Sequence, residues 1–185
     1  MSQVFVSGHK SPDTDSIAAA LSYSYLKRRL GMDAVAVRAG EINKESRFAL
    51  DYFNLEEPIL VTSVERKNPE DEKQKVILVD HNESKQTIDG MDDAEVLEII
   101  DHHRFGDFES ENPIFILVRP VGCVNTVIYG LYKTNHIKPS REIAGIMLSA
   151  IISDTVLFRS PTTTEEDKET AKELAEIAGV DYEAY

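Results

Sequence analysis

Val4-Phe5-Val6-Ser7-Gly8-His9-Lys10-Ser11-Pro12-Asp13-Thr14-Asp15 is an apolar run that ends at Gly8 and delivers one histidine and two carboxylates within the next seven residues. The apolar positions Ile17, Leu21 and Tyr25 follow at helical spacing. The stretch therefore reads as a strand, a tight loop and a helix. Open α/β sheets place ligands in loops at the carboxyl ends of their strands. His9, Asp13 and Asp15 are also side chains that bind hard or borderline metal ions, and one loop could turn all three to a common point. The same stretch has a plainer reading, in which Asp13 or Asp15 only caps the helix and stabilises its positive end.

Working outward, the pattern of strand followed by helix repeats. A helix from about Asp15 to Leu30 stops at Gly31, and Ala34-Val35-Ala36-Val37 supplies a short strand. Asn43 is placed to cap a helix carrying Phe48, Tyr52 and Phe53, and Ile59-Leu60-Val61 is a brief apolar run. Glu65 to Lys75 is almost wholly charged or polar and predicts an exposed, mobile loop, the natural insertion point of the chain. Val76-Ile77-Leu78-Val79 reads as a central strand buried on both faces and runs directly into Asp80-His81-Asn82-Glu83. Val96 to Ile100 is a second such run and ends in Asp101-His102-His103-Arg104, and Ile114 to Val118 is a further strand. A helix after Gly122, another from about Ser140 that delivers Asp154 at its C-terminal end, and a last one opened by a Thr164/Asp167 capping box complete the chain. The alternation predicts an α/β fold, a mostly parallel sheet with helices on both faces, occupying residues 1–185 as one domain.

The bulk properties narrow the function. With 42% hydrophobic residues the chain has material for a core, and 33 acidic against 20 basic residues leave a net charge of −13, which disfavours nucleic-acid phosphates as partners. The Lys27-Arg28-Arg29 cluster suits the end of a helix dipole on a solvated face. An acidic protein that handles an anion generally does so through metal cations. A single cysteine excludes an internal disulfide framework and fits a reducing cytoplasm. No apolar run approaches 18 residues and no signal peptide is evident, so neither membrane insertion nor export is expected.

Parallel strands present their carboxyl ends along one edge of a sheet, so His9, Asp13, Asp15, Asp80 and His102 can converge, joined by Asp154 from a helix end. Four carboxylates and two imidazoles exceed what one ion requires and suit two ions, with Asp80 bridging because its strand is central. Such a donor set favours manganese, cobalt or zinc over calcium. Taken singly, each residue has an ordinary explanation: Asp80 as a strand-end turn carboxylate, His102 or His103 as a satisfied turn histidine, Asp154 as an exposed side chain. Asp101 and His81 read as groups that orient ligands. Cys123 reads as a small packing residue.

His9-x-x-x-Asp13-x-Asp15, Asp80-His81-Asn82, Asp101-His102-His103 and Asp154 together resemble the four motifs of the DHH phosphoesterase family. Pro12-Asp13-Thr14-Asp15, Val79 to Glu83 and Ser149 to Asp154 resemble the forms found in its manganese-dependent family II inorganic pyrophosphatases. The resemblance implies hydrolysis of pyrophosphate to two phosphates by a hydroxide that bridges two manganese or cobalt ions per subunit, with additional magnesium arriving on the substrate. It implies that His9, Asp13 and Asp80 hold one ion and that Asp15, Asp80, His102 and Asp154 hold the other. His103 would meet the phosphate, with Arg104 beside it, and His103, Asp13 and Asp15 would carry the catalysis. It further implies a homodimer joined through one of the late apolar strands, Ile114 to Val118, and a second, C-terminal substrate-gripping domain beyond Tyr185. Some members carry a pair of nucleotide-binding CBS domains where this chain has the loop 65–75. Two other functions remain consistent with the residues: a DHH phosphodiesterase acting on short oligonucleotides or nucleotide phosphates, for which a stacking platform or basic groove is expected, and a non-catalytic metal-binding or dimerisation module.

Overall fold

Four consecutive apolar residues, Val76, Ile77, Leu78 and Val79, are each wholly inaccessible to solvent. A short, largely β-branched run buried on both sides fits an interior strand, and in the computed structural model, which describes residues 3–185, it forms one. The strands are β1 (Val4–Ser7), β2 (Ala34–Arg38), β3 (Ile59–Leu60), β4 (Lys75–Val79), β5 (Glu95–Asp101) and β6 (Phe115–Val118). They form one sheet in the order β3-β2-β1-β4-β5-β6, parallel at every pairing. Val4 stands level with both Ala34 and Lys75, so the ends of β1, β2 and β4 come out together at one edge.

The described residues form five α-helices: α1 (Thr14–Arg29), α2 (Lys44–Tyr52), α3 (Val124–Thr134), α4 (Arg141–Asp154) and α5 (Glu165–Ala178). Their starts follow the local chemistry. Asp13, Asn43 and Ser140 each accept from a backbone N–H in the first turn of α1, α2 and α4, and Thr164 with Asp167 closes a reciprocal capping box on α5. Helix α5 ends at Gly179 in the left-handed conformation, at φ 68°.

The two faces of the sheet are covered differently. All five α-helices bury their apolar side chains in one core, against Val4, Val6, Ala34, Ala36, Ile77, Val79 and Ile100. Helix α1 lies deepest, with Ile17, Ala18, Ala19 and Ala20 all buried, because it packs against the sheet as well as against α3 and α4. The opposite face, with Val37, Val76, Leu78 and Ile99, is closed by Val64, Ile88, neighbouring loop residues and Met91 of the single 3-10 turn Met91–Asp93. The expected coverage by helices on both faces thus holds as α-helix on one face only; the connections out of β4 and β5 are too polar to carry a helical apolar stripe. The loop from Glu65 towards β4 is mostly exposed, as its composition predicts, but Arg66 ties it down through Asp93 (2.7 Å) and the carbonyl oxygens of Pro69 and Asp71. Among the described residues no helix is long and apolar enough to cross a membrane.

The strand order makes a topological switch. From β1 the chain moves outward to β2 and β3, and from β4 it moves the opposite way to β5 and β6. The loops leaving β1 and β4 therefore part from each other, and the gap between them is where such sheets bind ligands.

Candidate metal centre

Asp80 leaves β4 in the left-handed conformation, with φ 64°. A non-glycine residue there carries a cost of order 1–3 kcal/mol that persists where the surroundings over-determine it. The bend brings the carboxylate, 1% exposed, into the switch-point gap. Its Oδ2 accepts from Ser16 Oγ (2.7 Å) and lies 3.4 Å from His9 Nε2. Its Oδ1 lies 3.3 Å from His102 Nε2, is buried, and has no hydrogen-bond partner. One carboxylate thus offers an oxygen to each of two histidines that arrive from different strands.

Two groups of donors flank it. On one side, Asp13 Oδ1 caps α1 by accepting from the Ser16 N–H (2.9 Å) while Oδ2 faces His9 Nε2 at 3.6 Å, so the cap uses one oxygen and leaves the other turned to the cluster. His9, Asp13 and Asp80 each place one ligand atom within 4.8 Å of the others. On the other side, Asp15 Oδ2 lies 3.5 Å from His102 Nε2, and Asp15 and Asp154 with Cys123 bring ligand atoms within the same 4.8 Å. The close passage of the β1 loop over α1 depends on Gly8, where a Cβ would stand 2.7 Å from Ser16 Cβ.

The electrostatics describe a site short of positive charge. Burial pulls the His9 imidazole down, but Asp13 and Asp80 outweigh it and hold its pKa at about 10. His102 is likewise lowered by burial and held at about 10 by Asp80 and Asp15. Asp80 is pushed up by burial, yet His102 and His9 hold it below the usual carboxylate range. Asp154 is pushed well above that range, first by burial and then by Asp15, and Asp15 is itself raised by burial and by Asp80. Facing carboxylates in a buried site need a proton or a cation between them. The bare Asp80 Oδ1 and this carboxylate pair fit divalent ions bound by oxygen and imidazole.

The tautomers suit ligation. His102 Nδ1 donates to the Val121 carbonyl (3.0 Å), which turns Nε2 to the carboxylates. His103 is different: its Nδ1 meets Asp101 Oδ1 at 2.9 Å, Asp101 raises its pKa, and half of its side chain is exposed, leaving Nε2 for a ligand at the mouth of the site. Asp101 also accepts the backbone N–H groups of His102 and His103 (2.7 and 3.2 Å) and Asn82 Nδ2 (2.5 Å), as its expected orienting role requires. Arg104 is not brought into the cluster: its guanidinium is 87% exposed and paired with Glu83 at 3.0 Å. His81 makes no hydrogen bond to these side chains among the described residues; its Nδ1 meets the Val79 carbonyl and its buried Nε2 meets no partner there.

Three side chains at the site escape a reading of the sequence. Ser16 orients Asp80, and Asn125 Nδ2 donates to Asp15 Oδ1 at 2.6 Å. Cys123 is fully buried, as a packing residue should be, but its thiol also donates to Asp15 Oδ1 at 2.8 Å, and burial followed by Asp15 keeps it protonated. The one local signal is that α3 starts at Cys123 without a capping oxygen, so its free N–H groups must find an acceptor elsewhere.

Residues 3–151 match the model described as the DHH family, N-terminal domain. The chain belongs to the DHH family. This DHH chain is 53% identical over 185 residues to an Exiguobacterium protein named "Probable manganese-dependent inorganic pyrophosphatase" and 50% identical over 185 residues to the Bacillus subtilis (strain 168) protein named manganese-dependent inorganic pyrophosphatase. It is covered completely in both alignments and spans 58% of each relative's length. Among solved structures, a Methanococcus jannaschii protein titled "putative family II inorganic pyrophosphatase" superposes with a TM-score of 0.87 at 43% identity, over 97% of this chain and 57% of the other. An exopolyphosphatase-related protein from Bacteroides fragilis, at 19% identity and a TM-score of 0.72 over 98% of this chain and 54% of its own, shares the fold.

Proposed function

We propose that this DHH domain is the metal-binding part of a manganese-dependent inorganic pyrophosphatase that hydrolyses pyrophosphate to two phosphates with two divalent ions per chain. The observation that carries the reading is the Asp80 carboxylate, with Oδ2 3.4 Å from His9 and the unpartnered Oδ1 3.3 Å from His102. His9, Asp13 and Asp80 would hold one ion, and Asp15, Asp80, His102 and Asp154 the other, manganese or cobalt serving in both places. When bound, such ions lower the pKa of water and draw charge from a phosphoryl group. The chain's own residues do the rest. Asp101 fixes the His103 ring, whose free nitrogen at the mouth of the site can contact the phosphate and hold or yield a proton. Ser16 keeps the bridging carboxylate oriented. Magnesium would accompany the substrate.

The relatives' greater length supports a further substrate-gripping domain in the whole protein. The cationic contacts expected from it count for about 1.5–3 kcal/mol each. Three of them missing would slow turnover by several powers of ten, at about 1.4 kcal/mol per power. Arg104, beside His103 but paired with Glu83 at the surface, would be one cation against those three. The exposed Phe115 and Ile116 on the edge strand β6 support a homodimer formed along that edge. The net charge of −13 supports a protein without nucleic-acid or membrane partners, and the single buried cysteine supports a cytoplasmic one.

The test is phosphate release by the chain with saturating manganese, offered pyrophosphate or a dinucleotide, with Asp80→Ala as the blank. Slow, manganese-dependent release from pyrophosphate that the blank lacks is expected. Preferential cleavage of the dinucleotide, or release that survives Asp80→Ala, would overturn the proposal.

A further inference from the structure

The donors that α3 leaves uncapped converge on Asp15. The Val124 N–H donates to Asp15 Oδ2 (2.8 Å), and the Asn125 N–H lies 3.4 Å from Oδ1. The Cys123 thiol and Asn125 Nδ2 donate to that same Oδ1. Asn125 is itself locked. It is wholly buried, its Nδ2 also reaches the Asp15 carbonyl (3.2 Å), and its Oδ1 accepts from Ser22 Oγ (2.9 Å) on α1. Every polar atom of this amide is engaged, so it cannot turn away from Asp15 without leaving buried groups unpaired. Asp80 offers the contrast, with one oxygen bare.

We propose that Asn125, assisted by the Cys123 thiol, is a positioning residue for the metal ligand Asp15. It ties up Oδ1 and thereby presents Oδ2, the oxygen facing His102, to the second ion. Helix α3 thus serves as the outer support of one ion and not of the other. No element of α3 touches His9 or Asp13 among the hydrogen bonds and ion pairs of the described residues. The inference rests on the reading that Asp15 and His102 hold an ion.

The two ions can be measured separately. In a chain carrying His9→Gln only the second position remains, and in one carrying Asp154→Asn the first position is the stronger survivor. Manganese titration by calorimetry is expected to show that Asn125→Ala weakens binding roughly 10- to 100-fold in the first background, the usual effect of removing a partner of a ligand. In the second background it should leave binding unchanged. Cys123→Ser, which keeps a donor, should retain the affinity that Cys123→Ala loses. If Asn125→Ala does not fold, Ser22→Ala frees the same amide without touching Asp15 and should show the same selectivity at smaller amplitude. Equal weakening in both backgrounds would reduce Asn125 to a packing residue, and no weakening in either would remove it from the site; both overturn the inference while the metal reading stands. If the unsubstituted chain binds no manganese, the metal reading falls and this inference with it.

Discussion

Replacing Asp154 by asparagine should stabilise the metal-free chain and blunt its response to manganese. Asp15 and Asp154 bring carboxylate oxygens within 4.8 Å of each other in a buried site. At that separation and an effective dielectric of about 20, two unit charges repel by about 3 kcal/mol. The native chain relieves this repulsion by holding a proton on the pair, at a cost no greater than the repulsion itself, and the folded pKa of Asp154 lies well above the ordinary 3.8. An acid raised in this way favours the fold below its unfolded pKa, and the contribution is lost as pH rises towards the folded value. At pH 8 in chelator the neutral amide removes the penalty. About 3 kcal/mol in a chain of this size corresponds to a rise of roughly 6–12 °C in Tm. At pH 4 the unfolded native chain also holds much of its proton, and the advantage should largely vanish. Manganese then reverses the order, since an ion present at a thousand times its Kd adds about 4 kcal/mol per site and the variant has lost a ligand of one site. Thermal unfolding at both pH values, with chelator and with manganese, measures all four quantities. A variant no more stable than the native chain at pH 8 in chelator, or one with an undiminished manganese shift, would refute the argument that these carboxylates face each other for want of a cation.

Three further outcomes are expected. His9 and His102 are held at about 10 against an ordinary 6.5, so their contribution to the metal-free fold is complete below pH 6.5 and is lost as pH rises to 10; Tm in chelator should fall over that window while manganese affinity climbs, as calorimetry at several pH values would record. Asp101→Asn removes the carboxylate that holds the His103 ring and both backbone N–H groups of the His102-His103 turn, and should lower phosphate release roughly 10- to 100-fold, measured against the native chain. Ile116→Lys places a charge on the exposed edge of β6 and should convert a dimer to a monomer by light scattering; a native chain already monomeric at micromolar concentration would remove the edge-pairing proposal.

The sheet and most of the cluster were legible because they are written locally. The Val76 to Val79 run is short, apolar and mostly β-branched as an interior strand requires, Asp80 follows it without an intervening residue, and the caps at Asn43 and Thr164 lie within three residues of what they cap. The second face of the sheet was not legible in the same way, because its cover is built from single loop residues such as Val64 and Ile88 that have no period. The pairing of Arg104 with Glu83, from the loop after β4, is likewise a contact between segments that adjacency to His103 does not disclose. Asn125 is the clearest omission. Its role depends on Asp15 and Ser22, each more than a hundred residues away, and only the absence of a capping oxygen at Cys123 hinted that α3 had donors to give.

Asp80 is the carboxylate that two ions would share. Crystals of the chain soaked in manganese, with anomalous scattering recorded at the manganese edge, test this directly. The prediction is two peaks, one beside His9 and Asp13 and the other beside Asp15, His102 and Asp154, each touching a different oxygen of Asp80. A single peak, or two peaks that leave Asp80 Oδ1 without a metal, would contradict it.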